Sequence, residues 1–269
     1  LYFVAAAVLG TWMGLSKGYD LPLPASFHRV LFAHIHLASA GWAGMMILAV
    51  LSRLFPQAHL RQPLQARLRF AGFNIGLIGL TAGLLSGGEW YPIFGSLLAV
   101  ACIWYAAAFV PVLWEFQQAS DRSTAFLISS WACLAVVALI GLWLAIVSSF
   151  DVQLQFVYGF LYMFGWLSLM ILGMLYRIIP THISKLLTAR GVTATAGMRR
   201  AFIKPDVQVA VLVCLLAGLA VSSFAILSQN VALFRFGWGL WLTGILGFLA
   251  ALFFLGSELR DILKSRSAA

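Results

Sequence analysis

Long apolar runs separated by short polar stretches set the pattern of this chain. Windows long enough to cross about 30 Å of hydrocarbon predict eight helical spans, at about 1–16, 31–55, 68–86, 92–114, 125–148, 154–179, 207–227 and 233–256. The chain has 269 residues, 62% of them hydrophobic and 9% charged, with a mean hydropathy of +0.98. A soluble domain carries about 25% charged residues, so a water-soluble enzyme, a disordered tail and a secreted disulfide scaffold are all excluded. The expected fold class is all-α, a polytopic membrane helix bundle. Leu1 rather than Met stands first, so a short preceding piece is expected. The first apolar segment reads as the remnant of a span rather than a signal peptide, because no small-residue cleavage site follows it.

The net charge of +9 raises the question of nucleic acid, but its distribution answers otherwise. With eight spans, fourteen Lys and Arg fall on the side shared by both termini, from Arg53 and Arg61 to Lys264 and Arg266, and only Lys17, Arg29 and Arg235 on the other. The positive-inside bias then places both termini in the cytoplasm of a bacterial inner membrane. The partners expected are the lipid bilayer and further membrane subunits or electron-transfer proteins, not nucleic acid. Cys102, Cys133 and Cys214 fall in three different spans with no CxxC spacing, a pattern of small core residues rather than of a disulfide or zinc site.

The second and sixth spans repeat each other at an offset of 124 residues. Leu37, Gly41, Trp42, Met46, Ile47, Leu48, Leu51, Arg53 and Pro56 recur as Leu161, Gly165, Trp166, Met170, Ile171, Leu172, Leu175, Arg177 and Pro180, nine identities in 23 positions. Two four-helix repeats are therefore expected, 1–124 and 125–269, the second with a basic cytoplasmic loop at 181–206. Four is even, so the repeats are parallel rather than inverted. In each matched helix the Gly allows close helix approach, the Arg snorkels to headgroups and the Pro marks the stop.

Only the first repeat has histidines at the outer end of this helix: His34 and His36 stand where the second has Tyr158 and Phe160. An ionisable side chain inside a span is a functional hypothesis by default. Residues two apart on a helix point about 200° apart, so the pair presents one imidazole to each of two sites instead of chelating one ion. Imidazole is a common axial ligand of haem iron. The competing reading is a pair of helix-end histidines bonded to headgroups or loop carbonyls. His28 reads as a propionate or surface-metal contact or as a solvated loop residue. His59 and His182 lie at the opposite face and read as interfacial. Glu89 and Glu115 are expected at span ends, and Asn74 to bond a neighbouring helix. No phosphate loop, Ser–His–Asp set or chain of buried carboxylates is present in the sequence.

Ala33-His34-Ile35-His36, then Gly41-Trp42, then Arg53-Leu-Phe-Pro56 resembles the tenth helix of the haem–copper oxidase catalytic subunit, most of all the C-type oxidases and the related nitric oxide reductases. Gly173-Met-Leu-Tyr-Arg-Ile-Ile-Pro180 matches the end of the same pattern. The resemblance implies that His34 faces a high-spin haem iron and His36 a low-spin one. It covers about 25 residues closely and one further helix loosely. The family's twelve spans become eight here, and its copper-site histidines have no counterpart, which argues against copper and against oxygen or nitric oxide reduction by this chain alone. What the resemblance implies is a b-type haem-binding subunit of haem–copper oxidase ancestry, acting in electron transfer within a respiratory-type complex. The alternative is a structural or assembly subunit that kept the fold and lost its cofactors.

Overall fold

The computed structural model describes residues 1–115, 122–147, 151–189, 191 and 204–267, apart from the side chains of 59, 60, 258, 259 and 261–267. Nearly all of these residues are helical, and no strand occurs among them. The main helices are α1 Tyr2–Tyr19, α2 Phe27–Leu54, α3 Pro63–Ser86, α4 Tyr91–Glu115, α5 Ser123–Val147, α6 Val152–Ala189 and α7 Pro205–Leu227, and α8 Val231–Ser267. Seven, α2 through α8, are long and apolar enough to cross a membrane. The 18-residue α1 is not among them: its last turn, Ser-Lys-Gly-Tyr, dilutes the apolar run before Asp20 ends it at φ 50°.

Local sequence explains the boundaries. Pro63 and Pro205 open α3 and α7 at first-turn positions, where the missing N–H costs nothing. Gly87, at φ 72°, closes α3 in a left-handed conformation that a Cβ disfavours. Asn230 caps α8 by accepting the Leu233 N–H at 3.0 Å. The Gln208 side chain accepts the Arg122 N–H at 3.0 Å, satisfying a donor next to the start of α5.

Of Pro56 and Pro180, both expected to mark a helix stop, only Pro56 does so. Before Pro56 the chain leaves the helix at Phe55, with φ −130° and ψ 65°. Pro180 instead lies inside α6, which continues to Ala189. The stretch 181–189, expected as the start of a basic loop, is therefore helical. Ile183 and Leu187 extend the buried stripe of Leu172 and Tyr176, and that burial carries the helix past the N–H that proline lacks. The remainder of the expected loop lies almost wholly outside the described residues.

Two compact units form, one from Leu1–Val112 with Leu134–Asp151, the other from Leu113–Cys133 with Val152–Ala269. In the first, glycines of α3 meet α4: a Cβ on Gly76 would lie 2.7 Å from the Leu98 backbone nitrogen, and one on Gly83 would lie 2.8 Å from Tyr91 Cβ. In the second, α7 and α8 form an antiparallel hairpin in equally close contact, with a Cβ on Gly218 falling 2.5 Å from the Trp241 nitrogen. The core of the second unit gathers Phe126, Leu169, Tyr176, Leu215, Trp241 and Phe248. Small residues in membrane helices substitute close backbone packing for a hydrophobic driving force that lipid does not supply.

Candidate functional site: the histidine helix and its counterpart

α2 carries His28, His34 and His36 on one continuous helix. His28 is exposed in the first turn, with its ring edge-on to Phe27. His34 and His36 are half-buried and flank the buried stripe of Val30, Ala33 and Leu37.

The two deeper imidazoles do different things. His34 Nδ1 lies 2.9 Å from the carbonyl of Ala6 in α1. A carbonyl only accepts, so Nδ1 carries the proton and donates it. The ring sits on Gly10, where a Cβ would come within 2.8 Å of His34 Cε1 and 3.6 Å of Nε2. One edge of the imidazole is thus filled by α1, and His34 clamps α1 to α2. His36 Nδ1 lies 2.8 Å from the carbonyl of Phe32, one turn earlier in its own helix. The same argument puts the proton on Nδ1 and the lone pair on Nε2. That tautomer, with its ring orientation fixed by a backbone carbonyl, is the one metal-ligating imidazoles adopt.

Directly after His36 the helix changes register. Leu37–Gly44 is π-helical, with i→i+5 bonding that is rare and recurs at functional sites. Its Gly41 receives the ring of Tyr2, 2.8 Å from where a Cβ would be, and Trp42 packs on Phe3 with centroids 5.2 Å apart. Tyr2 in turn donates to Asn74 Oδ1 of α3 at 2.6 Å, the cross-helix bond expected of that asparagine. Tyr2, Ala6 and Gly10 of α1 thus meet Gly41 and His34 along one antiparallel seam.

The matching segment of α6 has the same backbone. Leu161–Leu167 is π-helical, beginning 124 residues after Leu37, and it too centres on a Gly-Trp pair. Gly165 takes Cys133, 3.1 Å from the position of a Cβ. Ser130 of α5 donates to the Trp166 carbonyl at 2.8 Å, and Ser168 to the Met163 carbonyl at 2.9 Å. The chemistry differs. Phe160, the counterpart of His36, packs against Phe164, Phe234 and Trp238 with centroids 5.0, 6.1 and 6.0 Å away. Trp238 stacks on Trp241 at 5.2 Å and 7°. Where the first unit has an imidazole, the second has a filled aromatic core.

His182 is exposed, with Nδ1 3.3 Å from the Ile178 carbonyl. The side chain of His59 lies outside the described residues. The three cysteines are half-buried thiols on α4, α5 and α7. Among the described residues no three His, Cys, Asp or Glu side chains converge.

One cation escaped the sequence reading. Arg69, counted there only as a boundary charge, is 1% exposed. Its Nη2 donates to the Ala58 carbonyl at 3.1 Å, and its guanidinium lies 5.8 Å from the rings of both Trp104 and Tyr105. Aromatic faces hold the charge.

Comparison with protein-family models gives no match, and comparisons with curated proteins and with solved structures give none either.

Proposed function

We propose that this chain is a multi-pass membrane subunit that binds b-type haem through His36 and takes part in electron transfer within a respiratory-type complex. The observation that supports it is the His36 imidazole, half-buried in a span, with its Nδ1 proton held by the Phe32 carbonyl, the tautomer and ring orientation that suit ligation of iron through Nε2. Haem iron supplies a one-electron redox centre when bound. The chain's own contribution is to orient the imidazole and to surround it with apolar helix. His34 has a separate role in this proposal: its edge is taken up by Gly10 and Ala6, so it positions α1 rather than iron. His28, exposed and about 12 Å along the helix from His36, is the candidate partner of a propionate.

The same proposal includes two parallel four-helix repeats of haem–copper oxidase ancestry, both termini cytoplasmic and the histidine end outward. The paired π segments and the fourteen-to-three charge asymmetry support it. A reduced-minus-oxidised spectrum of the chain isolated with its native partners tests the haem. A b-type band that His36→Ala abolishes or shifts, and that His182→Ala leaves unchanged, is the expected result. Absence of any haem band in protein produced with ample haem refutes it.

A second reading, a structural subunit without cofactors, is favoured by the second unit. At the repeat position matching His36 the second unit has Phe160, packed against three other rings instead of offering an imidazole. The same spectrum separates the two.

A further inference from the structure

An open groove of about 340 Å³ runs between α2 and α3 in the first unit. Its walls include Met45, Leu48, Ala49 and Phe70, and its polar end holds Ser52 and Arg67. We propose that this groove binds one acyl chain of an anionic phospholipid whose phosphate meets Arg67.

The lining sets the chemistry of the occupant. The Ser52 hydroxyl donates to the Leu48 carbonyl at 2.5 Å, which leaves Arg67 as the groove's one ionic group. Arg67 is exposed, so its guanidinium is available to a headgroup. The surrounding helix surface is apolar: Met46 is 57% exposed, Leu68 50% and Phe70 52%, so the groove opens to hydrocarbon. The charge is one-sided. No Asp or Glu occurs from Leu21 to Gly88, while Arg53, Arg61, Arg67 and Arg69 all lie in that stretch. Arg69 stands behind the groove wall, next to the lining residue Tyr105. A positive charge at the end of an apolar groove selects an amphiphile with an anionic head. The volume is at the lower end of ligand pockets and suits part of one chain, with the rest of the lipid in the bilayer.

The test is thermal unfolding of the full chain in detergent with phosphatidylglycerol, phosphatidylcholine or inorganic phosphate added, together with native mass spectrometry of retained lipid. Phosphatidylglycerol is expected to raise the midpoint by roughly 3 °C or more at saturation, and phosphatidylcholine and inorganic phosphate by clearly less. Arg67→Gln should remove the increment by losing the charge. Ala49→Phe should remove it by filling the groove from an exposed position. Arg235→Gln, on a different helix, should keep it. Equal shifts from phosphatidylcholine overturn the anionic preference, and an equal shift from inorganic phosphate overturns the acyl-chain contact. An increment that persists in Arg67→Gln or Ala49→Phe, or that Arg235→Gln loses equally, overturns the site. Should Arg67→Gln not fold, Ala49→Phe and the lipid comparison decide alone.

Discussion

His34 and Gly10 form a matched pair, and a double-mutant cycle measures the match. His34→Ala removes the bond to the Ala6 carbonyl. Interhelical hydrogen bonds in membranes average about 0.6 kcal/mol, with a maximum of about 1.7. It also strips a half-buried ring from α1, so a total loss of about 1.5–3 kcal/mol is expected. Gly10→Ala places a Cβ 2.8 Å from His34 Cε1 and 3.3 Å from Nδ1. The ring must move and its bond must lengthen. That overpacking costs about 1–3 kcal/mol, against a gain of up to about 1 kcal/mol in helix propensity. In the His34→Ala background the clash has gone, and Gly10→Ala should be neutral or stabilising by up to about 1 kcal/mol. The propensity gain cancels around the cycle, which should therefore close with a coupling of about 1–3 kcal/mol, inside the range for side chains in contact. Unfolding by sodium dodecyl sulfate in mixed micelles, followed by circular dichroism, reads all four variants. Additivity to within about 0.5 kcal/mol would refute the contact. The same proteins discriminate the roles of the histidines: folded His34→Ala should keep the position and amplitude of any haem band. Loss of the band with the fold intact would make His34 the iron ligand and overturn the division of labour proposed for the pair.

Three further outcomes are expected. Gly218→Ala drives a Cβ to 2.5 Å from the Trp241 nitrogen and 2.7 Å from the Gly237 carbonyl, backbone atoms that cannot swing aside. It should lose about 1–3 kcal/mol, whereas Gly239→Ala, with nothing within 4 Å, should gain up to about 1 kcal/mol; detergent melting curves that reverse this order would refute the hairpin packing. Pro180→Ala restores an N–H for the Tyr176 carbonyl inside α6 and should stabilise the protein by about 1–3 kcal/mol, read by the same melts; no change would mean that the helix already breaks there. Cysteines introduced at Asp20 or Asp151 should react with an impermeant thiol reagent outside sealed cells, and one at Arg61 should not; the opposite pattern inverts the topology.

Helix α2 through helix α8 could be read from the chain because each polar stretch interrupts an apolar run longer than a bilayer core. Asn74 was legible for the same reason: an amide in hydrocarbon needs a partner, and Tyr2 supplies it. The two Arg-x-x-Pro endings show the limit. Their motifs are alike, yet one ends a helix and the other does not, because Ile183 and Leu187 bury a further two turns. Pro56 is followed only by the four-residue helix Gln57–Leu60 before Pro63 opens α3. The repeat could be read in side chains but not in backbone geometry. A π segment adds no residue type of its own, so Gly41-Trp42 and Gly165-Trp166 marked the place without revealing the register change. The separate tasks of His34 and His36 depend on where α1 lies, and pairing between helices is not written in helical periodicity. Arg69 was missed because its aromatic partners stand 35 and 36 positions away in the sequence.

Arg69 also constrains how the protein is made. An arginine at the centre of an inserting helix costs about 2.5–3.5 kcal/mol. Arg69 occupies the seventh position of α3, near enough to the end for its long side chain to reach the headgroups while the helix is alone in the bilayer. Its final place beside the rings of Trp104 and Tyr105 exists only once α4 has arrived. The Gly87–Trp90 connection is short, and the glycines of α3 fit α4 directly. Biogenesis should therefore treat α3 and α4 as one hairpin, with the arginine drawn inward as the second helix docks. A ribosome stalled before α4 emerges would hold a nascent chain whose α3 is still anchored at the interface by its own charge.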